Sequence, residues 1–278
     1  MKDFSDKVAL VTGAASGIGQ ALAIELAREG THLVLADVDE TGLDDTRREI
    51  EAINRKALAV RADVSRVEEV EALCARAIQE MGKIDILANV AGIVIFADIR
   101  EMELGDWSRI LGVNLYGSIH TIRFLLDPMI QRRSGHIVNV ASSAGLVAQP
   151  GMGGYSVSKF GLVGLTETLR AEVSRYGIGV TAVCPGAVKT NIFAAAEYRN
   201  YDVRGPLSFI LKHLAWPPER VARAVVRAIK KNRPMLALSA ANWWGYALKR
   251  SCPSLVYSAQ KAMADALVEY RITSSEGG

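Results

Sequence analysis

Tyr155 and Lys159 stand about one helical turn apart in Tyr155-Ser-Val-Ser-Lys159, a stretch with a helical pattern, so their side chains share a face. A phenol titrates near ~10, too high to take up a proton at neutral pH, and a neighbouring ammonium favours the phenolate. Lowering that value by ~3 units needs ~4 kcal/mol of differential stabilisation. The chemistry on offer is proton transfer to and from an oxygen. Such a pair is common on protein surfaces, so its surroundings decide the reading. Ser142, in Asn139-Val-Ala-Ser142-Ser143-Ala-Gly145, follows a strand pattern and precedes the Tyr155 helix. Its hydroxyl can donate to an oxygen on which charge develops. Ser143 reads as the adjoining turn residue.

A second constellation opens the chain. The first strand pattern ends in Thr12-Gly13-Ala14-Ala15-Ser16-Gly17-Ile18-Gly19, and a helix follows. Glycines there let backbone approach a pyrophosphate, while the helix start offers free amides and a positive dipole end. The second strand pattern ends at Asp37. A carboxylate at that point can accept both ribose hydroxyls of adenosine and would repel a 2′-phosphate. Ser16 stands where a basic residue could have met that phosphate. Together they select NAD over NADP.

These residues need strands that end together. Strand patterns cover Val8–Thr12, His32–Ala36, Ala57–Arg61, Ile84–Asn89, His136–Ala141 and Gly179–Cys184, with Met235–Ser239 a weaker seventh. Most are near-continuous apolar runs, as in a parallel sheet buried on both faces. Helix patterns fall at about 17–29, 40–54, 66–81, 106–131, 155–175 and 217–231, in the alternation of right-handed strand–helix crossovers. Ser65-Arg-Val-Glu68 reads as a capping box, and Gly30, Gly82 and Gly177 as helix ends that need positive φ. The expected architecture is α/β: a single-domain, doubly wound Rossmann fold over residues 1–240. It has a seven-stranded, mostly parallel sheet with helices on both faces. Residues 241–278 form a C-terminal helical extension packed on that domain.

The spaced set Thr12-Gly13-x-x-x-Gly17-Ile18-Gly19, Asn89-Val-Ala-Gly92, Asn114, Ser142, Tyr155/Lys159 and Pro185-Gly186 closely resembles the short-chain dehydrogenase/reductase family, over roughly residues 5–240. The resemblance implies a hydride transfer between NAD(H) and an alcohol–carbonyl pair, with Tyr155 as general acid–base and Ser142 orienting the carbonyl. It implies that Lys159 holds the nicotinamide ribose and lowers the tyrosine pKa, and that Asn114 holds a water in the proton relay behind it. By the same resemblance Asp63 and Val64 contact adenine, and Asn89, Ala91 and Gly92 support the cofactor, with Val90 departing from the family's second asparagine. Pro185, Gly186, Val188 and Thr190 form the loop that receives the nicotinamide carboxamide. Gly13, Ser16, Gly17, Ile18, Gly19 and Asp37, with Tyr155 and Lys159, complete the cofactor set.

The composition narrows the alternatives. Lys and Arg number 33 against 30 Asp and Glu, a net charge of +3 without a basic face, which argues against a nucleic-acid partner. The three cysteines, Cys74, Cys184 and Cys252, are scattered, as are His32, His120, His136 and His213. Neither set has metal-ligand spacing, and sparse cysteines suit a reducing, cytoplasmic setting. No run of ~20 apolar residues spans a membrane.

Residues 93–99, 144–153 and the substrate loop 190–216 should rim the substrate side. They carry Ile93, Val94, Ile95, Phe96, Leu146, Val147, Met152, Ile192, Phe193, Tyr198, Leu207, Phe209, Ile210 and Leu214. An apolar rim suits a hydrophobic secondary alcohol or ketone, steroid-like, terpenoid or aryl. A 3-oxoacyl-thioester reductase is the alternative within enzymes; such an enzyme usually prefers NADP, which Asp37 disfavours, and no arginine cluster suggests an acyl-carrier partner, though Arg100, Arg199 and Arg204 leave that reading open. A non-catalytic nucleotide-binding regulator on the same fold is the other rival. In the tail, Leu255, Ala259, Ala262, Met263, Ala266, Leu267 and Tyr270 trace one helix face opposite Gln260, Lys261, Asp265 and Glu269. That face is expected to pack on the chain's own body or across a homodimer or homotetramer interface. Peripheral membrane contact through Trp243, Trp244, Lys249 and Arg250 is the competing reading. Ser274–Gly278 reads as a frayed end.

Overall fold

Strand side chains alternate between the two faces of a sheet, and here both faces are buried. The computed structural model describes residues 1–199 and 212–275, with side chains described as far as Ala266. Along β1 (Val8–Thr12), Ala9 and Val11 join the core layer of α1 (Gly17–Arg28), α2 (Glu40–Glu51) and α7 (Pro218–Lys230). Val8 and Leu10 point the other way, into the layer of α3 (Val67–Met81), α5 (Gly117–Arg132) and α6 (Gly153–Val173). The same division runs through β2 (His32–Asp37), β4 (Ile86–Asn89), β6 (Gly135–Val140) and β7 (Ile178–Cys184). With β3 (Ala57–Arg61) and β9 (Met235–Ala237), the order is β3-β2-β1-β4-β6-β7-β9, every pairing parallel. The seven expected strands are all present.

Two expectations are corrected, and a short strand pair is added. The helix expected at 106–131 is α4 (Leu104–Leu111), a π-helical turn over Gly112–Tyr116, and α5. Wide turns of this kind collect at functional sites, and this one carries Asn114. The capping box does not form, because the Ser65 hydroxyl donates instead to Asp63 Oδ1 at 2.7 Å and Arg66 takes the N-cap position. Glu69, not Glu68, reaches back, accepting from the Asp63 amide at 2.9 Å. A further parallel pair, β5 (Ile95–Ala97) with β8 (Glu197–Arg199), is too short for periodicity to reveal.

The tail forms α8 (Ala240–Ser251) and α9 (Pro253–Ser275). Among the α9 residues whose side chains are described, Val256 is buried and Gln260 and Ala264 are half-buried, whereas Leu255, Ala259, Ala262, Met263 and Ala266 are exposed. A polar contact decides the seating: the Gln260 amide donates to the Ala148 carbonyl, and Lys249 Nζ donates to Leu146 O at 3.1 Å. Trp243 and Trp244 are exposed. The side chains of Leu267 and Tyr270, together with Arg204, Leu207, Phe209, Ile210 and residues 276–278, lie outside the described residues. No helix among the described residues is long and apolar enough to cross a membrane.

His136 on β6 is buried, its Nε2 2.9 Å from Thr181 Oγ1, and burial pushes its pKa from 6.5 down to about 3. A folded value below the unfolded one means that the unfolded chain binds the extra proton first. The stability this group confers is therefore complete above 6.5 and lost as pH falls towards about 3. Urea unfolding across that window should show wild type losing more stability than His136→Gln, by an amount on the order of 4 kcal/mol. Equal losses in the two proteins would contradict this assignment.

Candidate active site

The sheet order reverses direction between β1 and β4, and open α/β sheets bind ligands outside strand C-termini at such a point. A cavity of about 760 Å³ lies there. The turn after β1 supplies Gly13, Ser16, Gly17, Ile18 and Gly19 to its wall. Gly13 has φ +68°, and a Cβ on it would come within 2.8 Å of the Ala91 backbone. Thr12 Oγ1 accepts from the Val90 and Ala91 amides at 3.0 and 3.2 Å, which draws the post-β4 segment against the turn.

Asp37 lines the cavity at the end of β2. Its Oδ2 accepts from Ala15 N at 3.0 Å, and its Oδ1 from Val38 N and Asp39 N at 2.7 and 3.2 Å. The carboxylate is thus fixed in place and keeps lone pairs for a diol. Asp39, not Asp37, caps α2. Asp63 and Val64 line the cavity after β3, near Ala36, Val38, Ala62 and Val113, which supply apolar walls for a flat ring. Pro185, Gly186, Val188 and Thr190 line the opposite side. The Ser143 amide donates to Pro185 O at 2.7 Å, tying that loop to the end of β6. A cradle that a Cβ would fill, free helix-start amides, a preset carboxylate and a flat apolar slot fit a dinucleotide.

Ser142, Tyr155 and Lys159 meet in the same cavity, all nearly buried. Ser142 Oγ accepts from Ala144 N at 3.1 Å, leaving its proton to donate onward. Lys159 Nζ donates to Val140 O at 2.9 Å and lies 5.6 Å from the Tyr155 ring centroid. Burial pushes the Tyr155 phenol up to about 12, opposed by the Ser142 hydroxyl, and pushes the Lys159 ammonium down to about 8. Desolvation is the largest cause of both shifts.

Two expected site residues stand behind the cavity wall. Asn89 lies in a buried polar chain: Thr121 donates to it at 2.7 Å, it donates to Asn139 Oδ1 at 2.9 Å, and Asn139 donates to Thr166 Oγ1 at 2.9 Å. The Asn89 side chain thus ties strand to helix, and Ala91 and Gly92 line the cavity. Asn114 is fully buried; its amide donates to Ile93 O at 3.0 Å and Ser158 Oγ at 3.1 Å and accepts from Ile93 N at 2.8 Å. A Cβ on Gly92 would stand 3.3 Å from Asn114 Oδ1 and 3.5 Å from Lys159 Nζ, so the bare glycine keeps open a space bordered by both polar groups.

On the substrate side, Ile93, Val94, Phe96, Met152, Ile192 and Phe193 line the cavity as expected, and Leu146 and Val147 pack elsewhere against Leu162 and Val163. Arg109, Gln149, Asn191, Glu197 and Met263 also line it. Gln149, Asn191 and Glu197 fall in the segments expected to rim the substrate side, whereas Arg109 and Met263 are brought there by helix register, not motif. Among the described residues no group of His, Cys, Asp and Glu is arranged to hold a metal ion.

A family model described as short chain dehydrogenase matches residues 7–200. A short chain dehydrogenase/reductase from Burkholderia phymatum, solved in complex with NAD, superposes with a TM-score of 0.84 at 33% identity, covering 92% of this chain and 96% of that one. Probable oxidoreductase EphD of Mycobacterium tuberculosis is 34% identical over 264 residues, which is 92% of this chain but 45% of that protein. This chain thus spans less than half of that curated relative. The CLA biosynthesis dehydrogenase/reductase of Lactiplantibacillus plantarum is 34% identical over 251 residues, covering 84% and 88% of the two chains. The chain belongs to the short chain dehydrogenase family and has a Rossmann-type fold.

Gly13→Ala should weaken NADH binding at least about tenfold, since left-handed backbone strain of ~1–3 kcal/mol adds to the contact with Ala91. Titration by NADH fluorescence checks this, and an unchanged dissociation constant would refute the role given to the turn.

Proposed function

We propose that the chain transfers a hydride between NAD(H) and a hydrophobic secondary alcohol–ketone pair, using Tyr155 as general acid–base. The observation that carries this reading is the meeting of Ser142, Tyr155 and Lys159 at one end of a cavity whose other end presents Asp37. NAD(H), when bound, supplies or accepts the hydride.

The chain's own part is orientation and proton movement. Ser142, its oxygen already engaged by Ala144 N–H, donates to the carbonyl oxygen and holds it beside the Tyr155 phenol. In reduction Tyr155, neutral in its buried setting, gives its proton to the alkoxide oxygen as charge develops there. In oxidation it must take the alcohol proton, which requires the phenolate. The Lys159 ammonium and the positive charge of oxidised nicotinamide both favour that form. Asn114 Oδ1 and Lys159 Nζ border the space over Gly92, which suits the relay water expected there. Asp37 holds the adenosine ribose and repels a 2′-phosphate.

The substrate is read as hydrophobic from the apolar rim of Ile93, Val94, Phe96, Met152, Ile192 and Phe193. Arg199, a candidate handle for an acyl carrier, is instead committed to Asp106 and Glu197, which counts against the thioester reductase. The intact reacting cluster counts against a non-catalytic regulator.

Tyr155→Phe should lower turnover by at least about a hundredfold, the usual scale of a lost acid–base group, while leaving NADH affinity within about twofold. Retained turnover would refute the assignment. Asp37→Ala should weaken NAD⁺ and raise the relative use of NADP⁺ by about tenfold or more, from loss of like-charge repulsion of ~1.4 kcal/mol or above. Steady-state kinetics with both cofactors tests it; a wild type that already prefers NADP⁺ would overturn the role of Asp37.

A further inference from the structure

The segment that closes the substrate side is held to the body by a short pairing. β8 joins β5 in the register Ile95↔Glu197, Phe96↔Tyr198 and Ala97↔Arg199. An isolated two-stranded pair of that length is not stable in water. Two further contacts support it. The Phe96 and Tyr198 rings stack with centroids 5.1 Å apart and planes 6° from parallel. Behind them lies a ring of charges between α4 and β8.

Asp106, in the first turn of α4, is only 5% exposed. It accepts from Arg199 through both oxygens, from Nε at 3.1 Å and Nη2 at 3.1 Å, in the fork geometry that makes such pairs strong and directional. Arg109 Nη2 donates to Asp106 Oδ1 at 3.2 Å and to Glu197 Oε2 at 2.7 Å. Glu197 Oε2 also accepts from Arg199 Nη2 at 2.8 Å. Among the described residues two guanidiniums and two carboxylates thus balance. Arg109 and Glu197 line the cavity on the same side as Phe96 and Phe193.

We propose that Asp106 and Arg199 are positioning residues that anchor the substrate loop on α4, and that Glu197 is a specificity residue. By neutralising Arg109 at the cavity wall, Glu197 makes that wall suit an uncharged substrate end. Removing the Glu197 charge leaves a cation facing the pocket, which then favours a carboxylate-bearing substrate. The specificity part rests on the alcohol–ketone reading above; the anchoring part does not.

The test uses the full chain with NADH bound. Hydrogen exchange of peptides covering 190–199 should be about tenfold faster in Arg199→Met than in wild type, with Arg199→Lys intermediate. Unchanged exchange overturns the anchor and needs no substrate. Kinetics then compare a neutral ketone with its analogue carrying a terminal carboxylate. Arg199→Met should raise KM for the neutral ketone about tenfold, with kcat altered much less and NADH affinity unchanged. Glu197→Gln should shift the acid-to-neutral ratio of kcat/KM about tenfold towards the acid, and an unmoved ratio overturns the specificity role. Should Arg199→Met fail to fold, Asp106→Asn carries the same exchange and KM expectations. A wild type inert towards every ketone and alcohol would sink the catalytic reading and the specificity role, while the exchange result still decides the anchor.

Discussion

Lys159 is a buried ammonium with no carboxylate in contact among the described residues, and the reacting end of the molecule is built around that constraint. Burying a charge without a counter-ion costs several kcal/mol, so its surroundings must supply compensation. Val140 O provides it because β6 stops there and leaves that carbonyl free to accept. α6 begins at Gly153, which places Tyr155 in its first turn and Lys159 one turn further in. Asn114 completes the lining from behind, turned inward by the π-helical turn and fixed to the Ile93 backbone. Each piece belongs to a different element, so the site depends on the sheet to bring them together.

The sheet does so through its reversal at β1 and β4, which opens a crevice at the strand ends. One end of that crevice is negative, at Asp37, and the other positive, at Lys159. Thr12 Oγ1 joins the turn after β1 to the segment after β4, and Ser143 N joins β6 to the Pro185 loop. These ties set the width of the crevice without touching a ligand.

Strands were legible because both faces of the sheet are buried, which writes each one as an apolar run. The glycine turn, Asp37, Ser142 and the Tyr155/Lys159 pair were legible because each needs a particular residue type at a strand end or helix start. Asn114 could be placed in the site but not in its geometry, since nothing in Gly112-Val-Asn114-Leu-Tyr116 marks a π-helical turn. Asn89 was placed in the cofactor set from its motif, and its side chain is engaged in the buried chain to Asn139 and Thr121. The Gln260 contact to Ala148 could not be read from the apolar stripe of α9, since it depends on how the tail meets the loop after β6. Arg109 and Met263 reach the cavity through tertiary register alone, for which sequence carries no local signal.

The central claim is that burial keeps Tyr155 a neutral acid until an oxidised nicotinamide cofactor sits beside it. Ultraviolet difference titration of wild type against Tyr155→Phe, with and without NAD⁺, reads that ionisation directly. Without NAD⁺ the phenol should remain protonated until pH approaches about 12. With NAD⁺ bound, a phenolate signal dependent on Tyr155 should appear below the ordinary phenol value of about 10. The same ionisation curve in both states would contradict the account.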